Sequence, residues 1–152
     1  MSGLRELVVP WAALAWLLRM AVGGLLLYAS ADKIMNPQDF AVIVKDYRLL
    51  PDFLVNIVAI WLPWFELVLG FCLFTDWWRQ GALFLATALL AAFWLALIVN
   101  YFRGINVNCG CFSSSPSDDA APMLWYIGRD ALLLCLPLLA YEAGRRARAQ
   151  DA

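Results

Sequence analysis

Four long apolar stretches constrain this chain more than any other feature: Leu7 to Ala31, Leu54 to Phe74, Gly81 to Phe102 and Met123 to Ala143. Each can cross a hydrocarbon layer about 30 Å thick, which takes roughly 20 residues of helix. Inside hydrocarbon the backbone finds no water, so such segments satisfy their own hydrogen bonds as helices. Of the 152 residues, 64% are hydrophobic, well above the apolar share of an ordinary soluble domain, about one half. The mean hydropathy of +0.72 agrees. The expectation is an all-α membrane protein: a single four-transmembrane-helix bundle over residues 1–152, with no room for a soluble catalytic domain. Internal repeats are absent and the only low-complexity stretch is Ser113 to Ser117. Any chemistry belongs to the bundle or its loops.

The first stretch has one feature of a secretory leader, because Ala29-Ser30-Ala31 follows Leu25-Leu26-Leu27 as small residues follow an apolar core at a cleavage site. Arg19 interrupts that core and the run is long. It is expected to stay in place as the first span.

Between the first two spans, residues 32–53 are too polar to cross and too patterned for a plain loop. Asn36 is placed to cap a helix that begins at Pro37. Phe40, Ile43, Val44, Tyr47 and Leu50 then recur at helical spacing, while Gln38, Asp39, Lys45, Asp46 and Arg48 fall elsewhere. This predicts an amphipathic interfacial helix over about 37–50, ended by Pro51. Its apolar face can rest on lipid or cap the mouth of the bundle.

The most chemically suggestive residues are Cys109-Gly110-Cys111, in the polar segment of about 103–122 between the third and fourth spans. Two cysteines one residue apart approach the limit of disulfide geometry, so a bond between them needs a bent backbone, which Gly110 permits. Strained, exposed disulfides are the exchangeable kind. The pair therefore reads as reactive, with Cys109 and Cys111 as the candidate catalytic residues. Cys72 and Cys135 lie at different depths in separate spans and are expected to pack as small hydrophobes.

Orientation follows from lysine and arginine in short loops, which favour the cytoplasm. One side carries Arg5, Arg79, Arg145, Arg146 and Arg148; the other carries Lys33, Lys45, Arg48 and Arg103. The terminal arginine cluster favours both termini in the cytoplasm. The cysteines would then face outward, toward a periplasm in a bacterium, where disulfides persist.

Charges inside spans are costly unless paired or wet. Arg19 and Glu66 both count to mid-membrane and are expected to pair, either to specify the bundle or to handle protons. Arg129 and Asp130 fall at the depth the cysteine segment can reach. A cation there, from Arg129, Arg103 or Lys33, would favour the thiolate, and Asp130 would orient Arg129 or accept a thiol proton. The tryptophans Trp61, Trp64, Trp77, Trp78, Trp94 and Trp125 read as interfacial anchors, with an aromatic quinone cleft as the rival reading.

The chain has no histidine, which removes the commonest metal ligand and the commonest acid–base group. A Cu(I) site survives, since two thiolates can supply it. No glycine-rich phosphate motif or basic nucleic-acid face is present.

The ordered set Arg19, Lys33, Asn36-Pro37, Phe40, Tyr47, Pro51, Pro63, Glu66, Gly70, Cys109-Gly110-Cys111-Phe112 and Arg129-Asp130 resembles the MauE (methylamine-utilisation) family, a branch of the DoxX-like membrane proteins. The chain departs from that pattern at Ser113, where the family usually has glycine. The resemblance implies a redox-associated four-helix protein of the bacterial inner membrane, linked to periplasmic disulfide formation or partner maturation beside thioredoxin-like proteins. The expected function is a thiol-disulfide oxidoreductase that exchanges with a thioredoxin-fold partner through Cys109 and Cys111, with a membrane quinone as the candidate cofactor. A non-catalytic assembly factor and a Cu(I) carrier are the alternatives.

Overall fold

The computed structural model describes residues 11–105 and 122–151. Cys109 and Cys111 lie outside the described residues. Among the described residues five helices follow one another: α1 (Trp11–Met35), α2 (Pro37–Asp46), α3 (Asp52–Thr75), α4 (Arg79–Phe102) and α5 (Met123–Asp151). All but α2 are long and apolar enough to cross a membrane, and no strand occurs among the described residues. The protein is a multi-pass membrane protein.

The long helices run alternately up and down. α1 packs between α3 and α5, and α4 closes the bundle against α5 and, more lightly, α3. Against hydrocarbon there is no gain from burying apolar side chains, so close backbone approach has to supply the packing. Gly23 of α1 and Gly70 of α3 provide it. A methyl group added at Gly70 would stand 3.1 Å from the Gly23 carbonyl oxygen and 2.8 Å from Leu27 Cγ. This contact fixes the antiparallel register of α1 and α3, setting Glu66 about level with Leu27 and Arg19 about level with Phe74.

Two apolar clusters fill the interior. One gathers Val22, Leu26, Leu69, Leu73, Ala82, Leu83, Ala86 and Ala140 toward the end where α3 gives way to α4. The other joins Ile43 and Tyr47 to Leu97 and Met123 at the opposite end. Thus α2 does not merely rest on lipid. Its Phe40 and Ile43 are buried in the bundle, capping one end.

Several local expectations change. Asn36 precedes Pro37 as the N-cap but its side chain makes no capping bond; its amide donates instead to the Asp32 carbonyl at 3.3 Å. The helix α2 stops at Asp46, short of residue 50, and Arg48 takes a left-handed φ of 47° that turns the chain toward Pro51. The helix α5 runs on to Asp151, beyond Ala143, because nothing after Pro137 breaks it. Cys72 is partly buried, but Cys135 is exposed on the outside of the bundle, so its thiol is not a packing element.

Candidate functional site

The buried face of α1 repeats as Val22, Leu26, Ala29 and Lys33, and that of α3 as Ala59, Pro63, Glu66, Gly70 and Leu73. Helical periodicity thus carries one lysine and one glutamate inside. Lys33 Nζ donates to Glu66 Oε1 at 3.1 Å and Oε2 at 2.8 Å, with side chains 2% and 3% exposed. The rings of Phe40 and Phe93 stand 5.4 and 5.9 Å from the same ammonium, so aromatic faces take up what the carboxylate leaves.

The expected Arg19–Glu66 pair does not form. Arg19 pairs with Asp76, just past the end of α3, and Lys33 takes Glu66. The reason is the glycine-set register, which leaves Arg19 and Glu66 on different levels, while the long lysine side chain reaches across to Glu66. A heptad-like spacing of Val22, Leu26, Ala29 and Lys33 is the signal that could have found Lys33 as an inward residue; Asp76 carries no comparable signal.

Asp130 of α5 is also buried. Arg129 holds it through Nε and Nη2, at 3.0 and 2.9 Å from Oδ1, and lies 5.3 Å from the Tyr126 ring. A cavity of about 40 Å³ is lined by Lys33, Glu66 and Asp130 together with Leu26, Phe93 and Leu133. That is room for water, which needs about 10–15 Å³ and polar partners. Pro137 removes the helical donor to the Leu133 carbonyl, one more polar group at this level.

Above the cavity, Tyr47 links α2 to α5. Burial first, and then the Asp130 carboxylate, push its phenol above the usual tyrosine range, while Arg129 opposes the shift. Arg103, at the C-terminus of α4, donates through Nη1 to the carbonyls of Tyr47 at 3.4 Å and Arg48 at 3.2 Å, and to Asn100 Oδ1 at 3.4 Å. These are neutral oxygens. Among the described residues no carboxylate lies within ion-pair distance of Arg103.

Of the sequence-selected residues, Lys33, Glu66, Arg129 and Asp130 gather around or beside this cavity, and Arg103 bonds the Tyr47 and Arg48 carbonyls without lining it. Arg19 lies toward the other end of the bundle. Tyr47 and Asn100 were not singled out for chemistry.

The family described as methylamine utilisation protein MauE matches residues 11–141. The chain belongs to the MauE family. It is 31% identical over 130 residues to methylamine utilization protein MauE of Paracoccus denitrificans, covering 85% of this chain and 68% of that one. Against the Paracoccus versutus MauE the identity is 32% over 124 residues, covering 81% and 66%. The MauE of Methylophilus methylotrophus is 38% identical over 84 residues, covering 55% and 44%. The matched stretch therefore spans at most about two thirds of these MauE proteins. No solved structure matches the chain.

Proposed function

We propose that this protein is a membrane thiol-disulfide oxidoreductase serving methylamine utilisation, with Cys109 and Cys111 as its exchanging pair. One observation carries the reading. The segment bearing Cys109-Gly110-Cys111 leaves the bundle at Ile105, two residues past Arg103, and returns at Pro122; among the described residues the Arg103 guanidinium bonds only neutral oxygens. A cation there favours the thiolate that attacks disulfides. Arg129 and Asp130 at the start of α5 tune the same end, with Lys33 acting from below through Glu66.

In the oxidising direction, the Cys109–Cys111 disulfide accepts two electrons from the dithiol of a periplasmic thioredoxin-fold protein or client. The partner leaves as a disulfide and two loop thiols remain. A membrane quinone then takes two electrons and two protons, becoming a quinol and restoring the disulfide. An apolar groove of about 320 Å³ among α2, α3 and α4, lined by Phe40, Tyr47, Leu62, Leu89 and Phe93 among others, is the candidate quinone cleft. It shares Leu89 and Phe93 with the Lys33 cavity.

We place both termini in the cytoplasm of a bacterial inner membrane. With Lys33 buried against Glu66, the cysteine side keeps Lys45, Arg48, Arg103 and Arg129. By sequence the other side carries Arg5, Arg79, Arg145, Arg146 and Arg148, an excess in the sense expected of the cytoplasmic side.

The test is alkylation of the thiols in native membranes with a mass-adding reagent, before and after addition of a thioredoxin-fold dithiol and a quinone. Cycling of Cys109 and Cys111, lost in C109S and C111S, is the expected result. A pair locked in one state makes the protein an assembly factor, and partner oxidation that persists in both serine variants removes the cysteines from the reaction.

A further inference from the structure

At the end of the bundle opposite the cysteine segment, Arg19 points into a polar cavity of about 270 Å³ between α1, α4 and α5, lined by Arg19, Asp76, Arg79, Gln80 and Arg148. Arg19 is only 6% exposed. It gives one N–H to Asp76, and its Nε has no hydrogen-bond partner among the described residues. A buried guanidinium N–H left open is costly. Asp76 is also shared, since Arg79 Nε stands 3.8 Å from the same oxygen.

Among the described residues three arginines, Arg19, Arg79 and Arg148, line the cavity against one aspartate, and Glu142 on α5 is taken by Arg145 at 3.3 Å. With its oxygen turned inward, the Gln80 amide accepts from Arg148 at 2.6 and 2.9 Å, which holds that guanidinium at the mouth. The first turn of α4 adds to this field, because Trp78 at its N-cap gives no side-chain bond to the leading amides and the positive end of the helix dipole lies there. The α1 and α5 walls of the cavity are small, with Ala12, Ala15, Ala140 and Gly144.

We propose that this cavity is an anion site for a phosphate ester, filled by the headgroup of an anionic phospholipid. Arginine forks match phosphate oxygens in pairs, and the volume exceeds by several-fold the share of about 30 Å³ that one water takes. The position favours a lipid. Exposed Trp16 lines the cavity, and exposed Trp77 and Trp78 lie in the chain between its lining residues Asp76 and Arg79, as tryptophans do where headgroups meet the acyl chains; basic pockets between helices on the cytoplasmic side, where the proposed orientation puts this end, take such headgroups.

The test uses the full chain in nanodiscs of phosphatidylcholine with one fifth phosphatidylglycerol, read by native mass spectrometry of retained lipid. Expected is enrichment of one phosphatidylglycerol per chain, falling about tenfold in R79Q/R148Q, whose changes are at the mouth and leave Arg19 to the fold. Millimolar inorganic phosphate supplied to pure phosphatidylcholine discs separates the two sources. Binding seen by phosphorus NMR and lost in R79Q/R148Q, with no phosphatidylglycerol enrichment, keeps the phosphate site and overturns the lipid as its occupant. Equal retention of both lipids with no phosphate binding, or a preference unchanged in R79Q/R148Q, overturns the site.

Discussion

Lys33 Nζ and Glu66 Oε2 stand 2.8 Å apart in a bundle that buries both side chains almost completely. With so little contact to solvent, each charge depends chiefly on the other. Removing one partner of such a pair strands a charge, at a cost of about 3–5 kcal/mol, whereas removing both is often close to neutral. K33M and E66M are each expected to destabilise the bundle by that amount, and K33M/E66M to recover most of it. A double-mutant cycle from detergent unfolding checks this; additive losses would mean that the pair is not coupled.

The contact of Gly23 with Gly70 predicts a second outcome. In G70V the new side chain meets Leu27 Cγ at 2.8 Å and the Gly23 carbonyl at 3.1 Å, and forcing α1 from α3 costs about 1–3 kcal/mol. Gly24, one residue along, has nothing within 4 Å of an added methyl, so G24A leaves the packing unchanged. Thermal unfolding of the two variants in one detergent makes the comparison.

Tyr47 gives a pH dependence. Its folded-state pKa is raised by burial and by Asp130 above the unfolded value of about 10, so the fold favours the neutral phenol. The associated stability is fully present below pH of about 10 and is lost as pH rises through the higher folded value. Ultraviolet titration of the native protein at 295 nm should show no tyrosinate from residue 47 near pH 10, its signal appearing only on unfolding. A difference between wild type and Y47F near pH 10 in the folded state would contradict this.

Arg103 ties the end of α2 to α4 through the carbonyls of Tyr47 and Arg48. Because the side chain is exposed, R103A should cost only about 1 kcal/mol. The loss is local, and hydrogen exchange should quicken in α2 while the amides of α1 and α3 keep their protection.

The positions of the four spans were readable because hydropathy is a local property and hydrocarbon admits only internally bonded helices. Counting depth along the helices also put Arg19 and Glu66 inside the membrane, but Lys33 read as a cation near the cysteine segment rather than as the buried partner of Glu66. The sequence showed that α2 is amphipathic. What it did not show was the extent of α5, where the arginines Arg145, Arg146 and Arg148 continue the helix rather than forming a tail.

The sequence by itself determined how many helices cross and that the segment between the first two spans is amphipathic, since each follows from neighbours along the chain. Only the tertiary structure decided which charges meet. Pairing of Lys33 with Glu66 and of Arg19 with Asp76 depends on how far α1 slides along α3, and that register is set by the glycine contact and by side-chain reach across the interface. Neither has a period in the sequence.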